Sequence, residues 1–348
     1  MSAIMVHPYS SLPPSAFWRH GVATQAADAV SDIHHPAFSL TASDAIATAG
    51  SCFAQHLGRA LRDAGLTVLD AEPAPKGIAP EFSRRYGFGL YSGRYGNIYT
   101  ARQMIQLLDE IDSGQPDPLH VWSREGRFHD AFRPGLDPEG LDSVEEVMAI
   151  RQRHLARVGA MLAQADVFVF TLGLTEAWQC RNTGRVYPTC PGVVAGSFDP
   201  AQHEFVNFSY PQVHEDLEGL YRRLQGFNTG MKLLLTVSPV PLTATASGQH
   251  VLPATQYSKA TLRAAAGDMA AGNADVDYFP SYEIVTNPAA AGKFYAEDLR
   301  QVTEAGVETV MRSFLAAHGL RLQEKPVREG AAPDDLICED AMLEAFGR

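Results

Sequence analysis

Two hydrophobic rhythms alternate along this chain. Uninterrupted or nearly uninterrupted apolar runs, rich in β-branched and aromatic residues, occupy 46–49, 67–69, 167–171, 233–237 and 276–279. Short runs of this kind are what strands buried on both faces require. Between them, apolar residues recur every three or four positions and predict helices over 53–64, 101–111, 144–162, 213–224, 254–269 and 303–317. Phe53, Leu57, Ala60, Leu61 and Ala64 mark the first of these, and Ser143 with Glu146 reads as a capping box at the start of the third. Strand and helix in alternation, with no internal repeat, predict an α/β fold: a three-layer α/β/α sandwich on a mainly parallel sheet of five strands.

Two stretches interrupt this alternation. Residues 113–141 and 181–210 are punctuated by glycine and proline and read as long insertions in a single domain over 1–320. Loops of that length serve as lids or binding surfaces, or are plain solvated chain. From 321 to 348 the character changes again. Pro326, Gly330 and Pro333 break the chain before an apolar set of Leu336, Ile337, Met342, Leu343 and Phe346 among acidic residues. This extension reads either as a short helix docked on the core or as a contact for a second subunit, giving a homo-oligomer.

Charge and cysteine usage narrow the functional classes. With 28 basic against 40 acidic residues and no basic block, the net charge of −12 argues against nucleic acid and anionic membranes as partners. No apolar run reaches membrane-spanning length, and the N-terminus lacks a basic and apolar leader, so a cytoplasmic protein is expected. Cys52, Cys180, Cys190 and Cys338 show no CxxC spacing and are expected to be free thiols. Neither a phosphate-binding glycine loop nor paired ligand spacing is present, so no cofactor and no metal are expected.

The candidate chemistry starts at Ser51, where the first strand run stops at Gly50 and a helical pattern begins. A hydroxyl there sits beside unpaired backbone N–H groups and the positive end of a helix dipole. It is suited to attack a carbonyl, or simply to cap the helix. In parallel sheets ligands bind beyond the carboxyl ends of the strands. The segments 173–178, 238–241 and 281–283 follow the third, fourth and fifth predicted strands and fall on the same edge as Ser51. Cys52, next to Ser51, is a second potential nucleophile, although a free cysteine just inside a helix is usually core.

The run Gly50-Ser51-Cys52-Phe53-Ala54 resembles the signature of the GSCFA family, related to the SGNH/GDSL hydrolases. The likeness extends to the segments at 13–19, 94–100, 171–178, 236–241 and 278–283, and spans roughly residues 8 to 320. The resemblance implies a flavodoxin-like arrangement of the five strands and a serine-dependent esterase or acyltransferase acting on an acyl ester of a sugar or small metabolite. It implies Ser51 as nucleophile, with Gly96 and Asn97 beside it as oxyanion or substrate-binding groups; the same two residues also suit a simple turn. The relatives' Gly-x-Asn-Asp block is replaced by Gly173-Leu174-Thr175-Glu176, in which Thr175 offers a hydroxyl for the amide. Thr175 and Glu176 equally suit a cap on a following helix.

The resemblance breaks at the base. The segment matching the relatives' Asp-x-x-His reads Asp298-Leu299-Arg300-Gln301, and a glutamine amide takes no proton near neutral pH. Three accounts follow: a binding protein with impaired catalysis, a base supplied by another histidine, or a carboxylate acting as base. His250 is the preferred histidine because it follows the fourth strand on the catalytic edge; His56, His34, His35 and His318 are placed less well. Asp298 or Glu176 would serve as base only if burial raised its pKa.

Overall fold

The structure, a computed structural model, describes residues 7–29 and 32–321. In chain order its principal elements are β1 (Ala45–Gly50), α1 (Ala54–Asp63), β2 (Thr67–Val68), α2 (Pro80–Arg85), α3 (Ala101–Ser113), β3 (Val121–Arg124), β4 (Arg127–Asp130), α4 (Val144–Leu162), β5 (Val167–Leu172), β6 (Glu176–Cys180), β7 (Val186–Tyr187), β8 (His203–Asn207), α5 (Tyr210–Phe227), β9 (Lys232–Val237), α6 (Val251–Gly272), β10 (Val276–Phe279), α7 (Ser281–Thr286) and α8 (Glu304–Ala317). The five uninterrupted apolar runs form one parallel sheet in the order β10-β9-β5-β1-β2.

Alternation within each strand divides the core into two layers. Phe168, Phe170, Leu233, Leu235, Val276 and Tyr278 face α3, α4, α5 and α6. Ile46, Val167, Val169, Leu234 and Phe279 face α1, α7 and α8. Because both faces are covered, no strand shows polar alternation, which is why the runs read as continuous.

The two insertions are not plain solvated loops. The first contains an antiparallel hairpin, β3 with β4, turned at Glu125 and Gly126, both of which have positive φ. The second supplies β7 and β8, which flank β6 in a three-stranded antiparallel sheet. Trp122, Ala131, Cys180, Tyr187 and Ala195 form a small core of their own between them. Strands this short leave almost no periodic signal, so the glycines and prolines between them dominate the sequence pattern. Cys52, Cys180 and Cys190 are free thiols. Of the extension from 321, only Arg321 is described; the apolar set and Cys338 lie outside the described residues.

Candidate functional site

The carboxyl end of β1 is shaped by its neighbour β5. Gly50 has φ +138°, and a Cβ on it would lie 2.4 Å from the Thr171 carbonyl oxygen, so only glycine lets the two strands run together to this point. The ladder continues one residue further, with the Ser51 N–H donating to Thr171 O at 3.0 Å. A turn over residues 51–53 then leads into α1, whose cap position is Phe53 and carries no side-chain cap. The capping alternative for Ser51 is therefore overturned. Its hydroxyl, buried at 2% exposure, has no hydrogen-bond partner among the described residues. Its own N–H, committed to β5, is not turned outward as an oxyanion donor.

The segment 95–100 is stitched over this end of the sheet. Ile98 N–H donates to Gly50 O at 2.9 Å, and the N–H groups of Gly173 and Leu174 both donate to Tyr99 O, at 2.9 and 3.4 Å. Thr100 forms a reciprocal capping box with Gln103 that fixes the start of α3. Gly96 sits at φ +68°, and buried Asn97 follows it, its Oδ1 accepting the Tyr91 hydroxyl, which in turn accepts Gln55 Nε2 at 3.1 Å. The segment is thus both a turn and a neighbour of Ser51. With its Oδ1 held by Tyr91, Asn97 keeps its amide in one orientation.

Gly173 contributes space rather than a donor. A Cβ there would lie 2.7 Å from the Tyr99 ring and 3.2 Å from Ser51 Cβ. Its carbonyl accepts a bond of 2.6 Å from Lys259 Nζ, a lysine only 1% exposed. Lys259 escaped the motif reading, although its spacing from Leu262 and Ala266 places it on the buried stripe of α6. Ser258 beside it accepts the Thr175 N–H at 2.9 Å.

Thr175 and Glu176 begin no helix. A strand, β6, starts at Glu176 and pairs Glu176 with Asn207, and the Thr175 hydroxyl donates to Asn207 Oδ1 at 2.7 Å. Glu176 is buried and accepts the Thr245 hydroxyl at 2.7 Å. Burial raises its pKa, against the bonds from Thr245 and the Ala246 backbone.

The remaining candidates are not bonded to Ser51. Asp298 is exposed and its Oδ1 accepts the N–H groups of Arg300 and Gln301, both at 2.9 Å, in a turn ahead of α8. Gln301 is exposed as well, its carbonyl accepting Ala296 N–H. Tyr295, in the same loop, donates to Pro239 O at 2.8 Å and holds the loop against the segment that follows β9. His250 is an exposed N-cap of α6, its Nδ1 accepting Leu252 N–H at 3.1 Å. His56 packs edge-on against Phe53, and burial followed by the Arg59 charge lowers its pKa to about 4. Cys52 is buried core at 4% exposure. His35 is exposed beside Asp32, whereas His34 and His318 meet near β10, away from Ser51.

Among solved structures, the chain is similar to a family 3 carbohydrate esterase of Clostridium thermocellum, at 11% identity over 78% of this chain and 94% of that one, with a TM-score of 0.33. That likeness is too distant to carry an argument about chemistry. No functionally curated protein matches the chain. The model of the GSCFA family matches residues 45–314, which takes in the whole central sheet and every segment packed around Ser51. The chain belongs to the GSCFA family.

Proposed function

We propose that this protein breaks or transfers an acyl-ester bond at Ser51, as an esterase or acyltransferase for an acyl ester of a sugar or small metabolite. The observation that carries this reading is the Ser51 hydroxyl: buried, at the carboxyl edge of the sheet, and without a partner. A buried hydroxyl without a hydrogen bond costs about 1–3 kcal/mol, so its retention asks for a reason. In the proposed reaction Ser51 Oγ bonds to the ester carbonyl carbon, and the alcohol leaves with a proton. Water or a second alcohol then releases the acyl group from Ser51. Asn97, oriented by Tyr91, supports the role of donor to the oxyanion.

Glu176 is the better candidate for the base. Among the groups considered it is the buried carboxylate, its pKa moves toward neutrality, and it lies three residues from Gly173. Asp298 and His250 are exposed and already serve a turn and a helix cap. A second reading, a binding protein without ester chemistry at Ser51, is favoured by one observation: no imidazole among the described residues is hydrogen-bonded to Ser51.

A fluorophosphonate probe read by intact mass separates the two. The enzyme reading predicts a single adduct on Ser51, absent in Ser51→Ala and slowed at least about tenfold in Glu176→Gln, as the loss of a proton acceptor entails. No adduct on the folded protein would count against the enzyme reading and favour the binding one. If labelling appears only after Gln301→His, the scaffold is competent and the group it lacks is the base at position 301.

A further inference from the structure

A second cluster of unsatisfied buried groups lies on the far side of the same sheet. His34 precedes β1, Asp277 is the second residue of β10, and His318 ends α8. One ligand atom from each lies within 4.8 Å of the other two. His34 Nε2 and Asp277 Oδ2 are 3.2 Å apart, and both side chains are more than nine-tenths buried. Yet His34 Nε2 makes no hydrogen bond of acceptable geometry, and neither ring nitrogen of His318 has a partner. Three imidazole nitrogens of this cluster are therefore buried without a hydrogen bond.

We propose that His34, Asp277 and His318 bind a divalent transition metal of the zinc class. Imidazole and carboxylate are the donor set that zinc takes, with bonds of about 2.0–2.1 Å and a tetrahedral arrangement. Two such ligands are then about 3.3 Å apart, close to the separation of His34 and Asp277. The His318 ligand atom lies within 4.8 Å of the other two, so binding would draw its ring inward and leave a fourth position for water. The first coordination shell is supported from behind: Asp277 Oδ2 accepts Ala37 N–H at 3.3 Å, Asp277 Oδ1 accepts Tyr278 N–H at 2.8 Å, and the His34 ring packs edge-on against Phe279.

The metal would act as a clasp and not as part of the ester chemistry. Asp277 is in register with Leu234, Val169 and Thr48 in turn, three strands away from β1 and three residues short of Ser51. Strand spacing and rise put the two sites about 14 Å apart across the sheet and about 10 Å along it. What the clasp joins is the segment before β1, edge strand β10 and the end of α8.

The test uses the full chain and Zn²⁺, with Co²⁺ as a spectroscopic substitute. The expected result is one equivalent of zinc retained after desalting, a visible cobalt spectrum of tetrahedral type, and a thermal midpoint that rises with zinc concentration. His318→Gln, at a partly exposed helix end, should fold normally and weaken zinc at least about tenfold, as loss of a coordinating group does. Asp277→Asn, which removes the charge and keeps one of the two acceptor oxygens, should do the same. Zinc binding that is undetectable, or equal in the parent, His318→Gln and Asp277→Asn, would overturn the proposal and leave a buried imidazole–carboxylate pair. Probe labelling of Ser51 should be unaffected by His318→Gln, so this proposal and the ester reading fail independently.

Discussion

Two parts of the molecule bury polar side chains to similar depth, and they differ in whether the carboxylates and hydroxyls there find partners. Between α3, α4 and the β3–β4 hairpin, each carboxylate is met by a cation or an imidazole. Arg151 donates to both oxygens of Glu110, at 3.0 and 2.7 Å, and reaches Asp130 at 3.4 Å. Arg133 donates to Asp130 at 2.7 Å, Arg185 to Glu110 at 2.7 Å, and His154 lies 2.7 Å from Glu72. Along β1 and β5 and in the turn that follows β1, by contrast, the hydroxyls of Thr48, Ser51 and Thr171 are buried and have no hydrogen-bond partner among the described residues. A paired group is tied to the fold, whereas an unpaired one is held in reserve. The first arrangement identifies structure, and the second points to function.

The comparison breaks if the two regions respond alike to substitution. The largest expected effect is at Ser51: Ser51→Ala should reduce turnover of aryl acetate esters by several orders of magnitude, up to about 10⁶, the scale of losing a serine nucleophile. Next comes Arg151→Met, which strands Glu110 and Asp130 in a buried site. It should cost about 3–5 kcal/mol in denaturant unfolding, the range for breaking a buried ion pair, without abolishing probe labelling of whatever remains folded. Gly173→Ala follows. Its Cβ would press on Tyr99 and Ser51, costing about 1–3 kcal/mol as overpacking does, and it should impair labelling and stability together.

The response to acid, spread gradually over the pH range, should sharpen the contrast. Burial, then the charges of Arg133 for His154 and Arg185 for His120, lowers both imidazoles to about 4, with Glu72 pulling His154 the other way. The unfolded chain takes up these protons near pH 6.5 and the folded one only near 4. Stability is therefore complete above pH 6.5 and declines as pH falls to 4. Burial would raise Glu72 and Asp130, but His154 at the first and Arg151 and Arg133 at the second outweigh it and hold both near 2. Their contribution, present above the ordinary carboxylate range, is lost only on further descent toward pH 2. Thermal midpoints from pH 7.5 to 3 should show the histidine decline before the carboxylate one.

The central sheet was legible because its strands are buried on both faces and say so in unbroken apolar runs, as at 167–171 and 233–237. The approach of Gly173 to Ser51 was legible for the same reason, since strand ends define an edge; Asn97 was named only through the family resemblance. Three other features were not. The hairpin at 121–130 is too short to show a period. The helix cap expected at Thr175 is a strand start, because β6 borrows its pairing from Asn207, more than thirty residues away in the chain. Lys259 looks like a surface lysine until its helix is docked, when the Gly173 carbonyl meets it. Each depends on a long-range partner that no local pattern contains.

The central claim is that Ser51 is kept for chemistry at some expense of stability. It is tested most directly by measuring unfolding free energy and fluorophosphonate labelling together for the parent and Ser51→Ala. The account predicts that the variant loses the adduct while its stability is unchanged or raised by up to about 1 kcal/mol, since an unsatisfied hydroxyl has been removed. A variant destabilised by more than about 1 kcal/mol, paired with a parent that never labels, would mean that the hydroxyl serves the fold and would contradict the account.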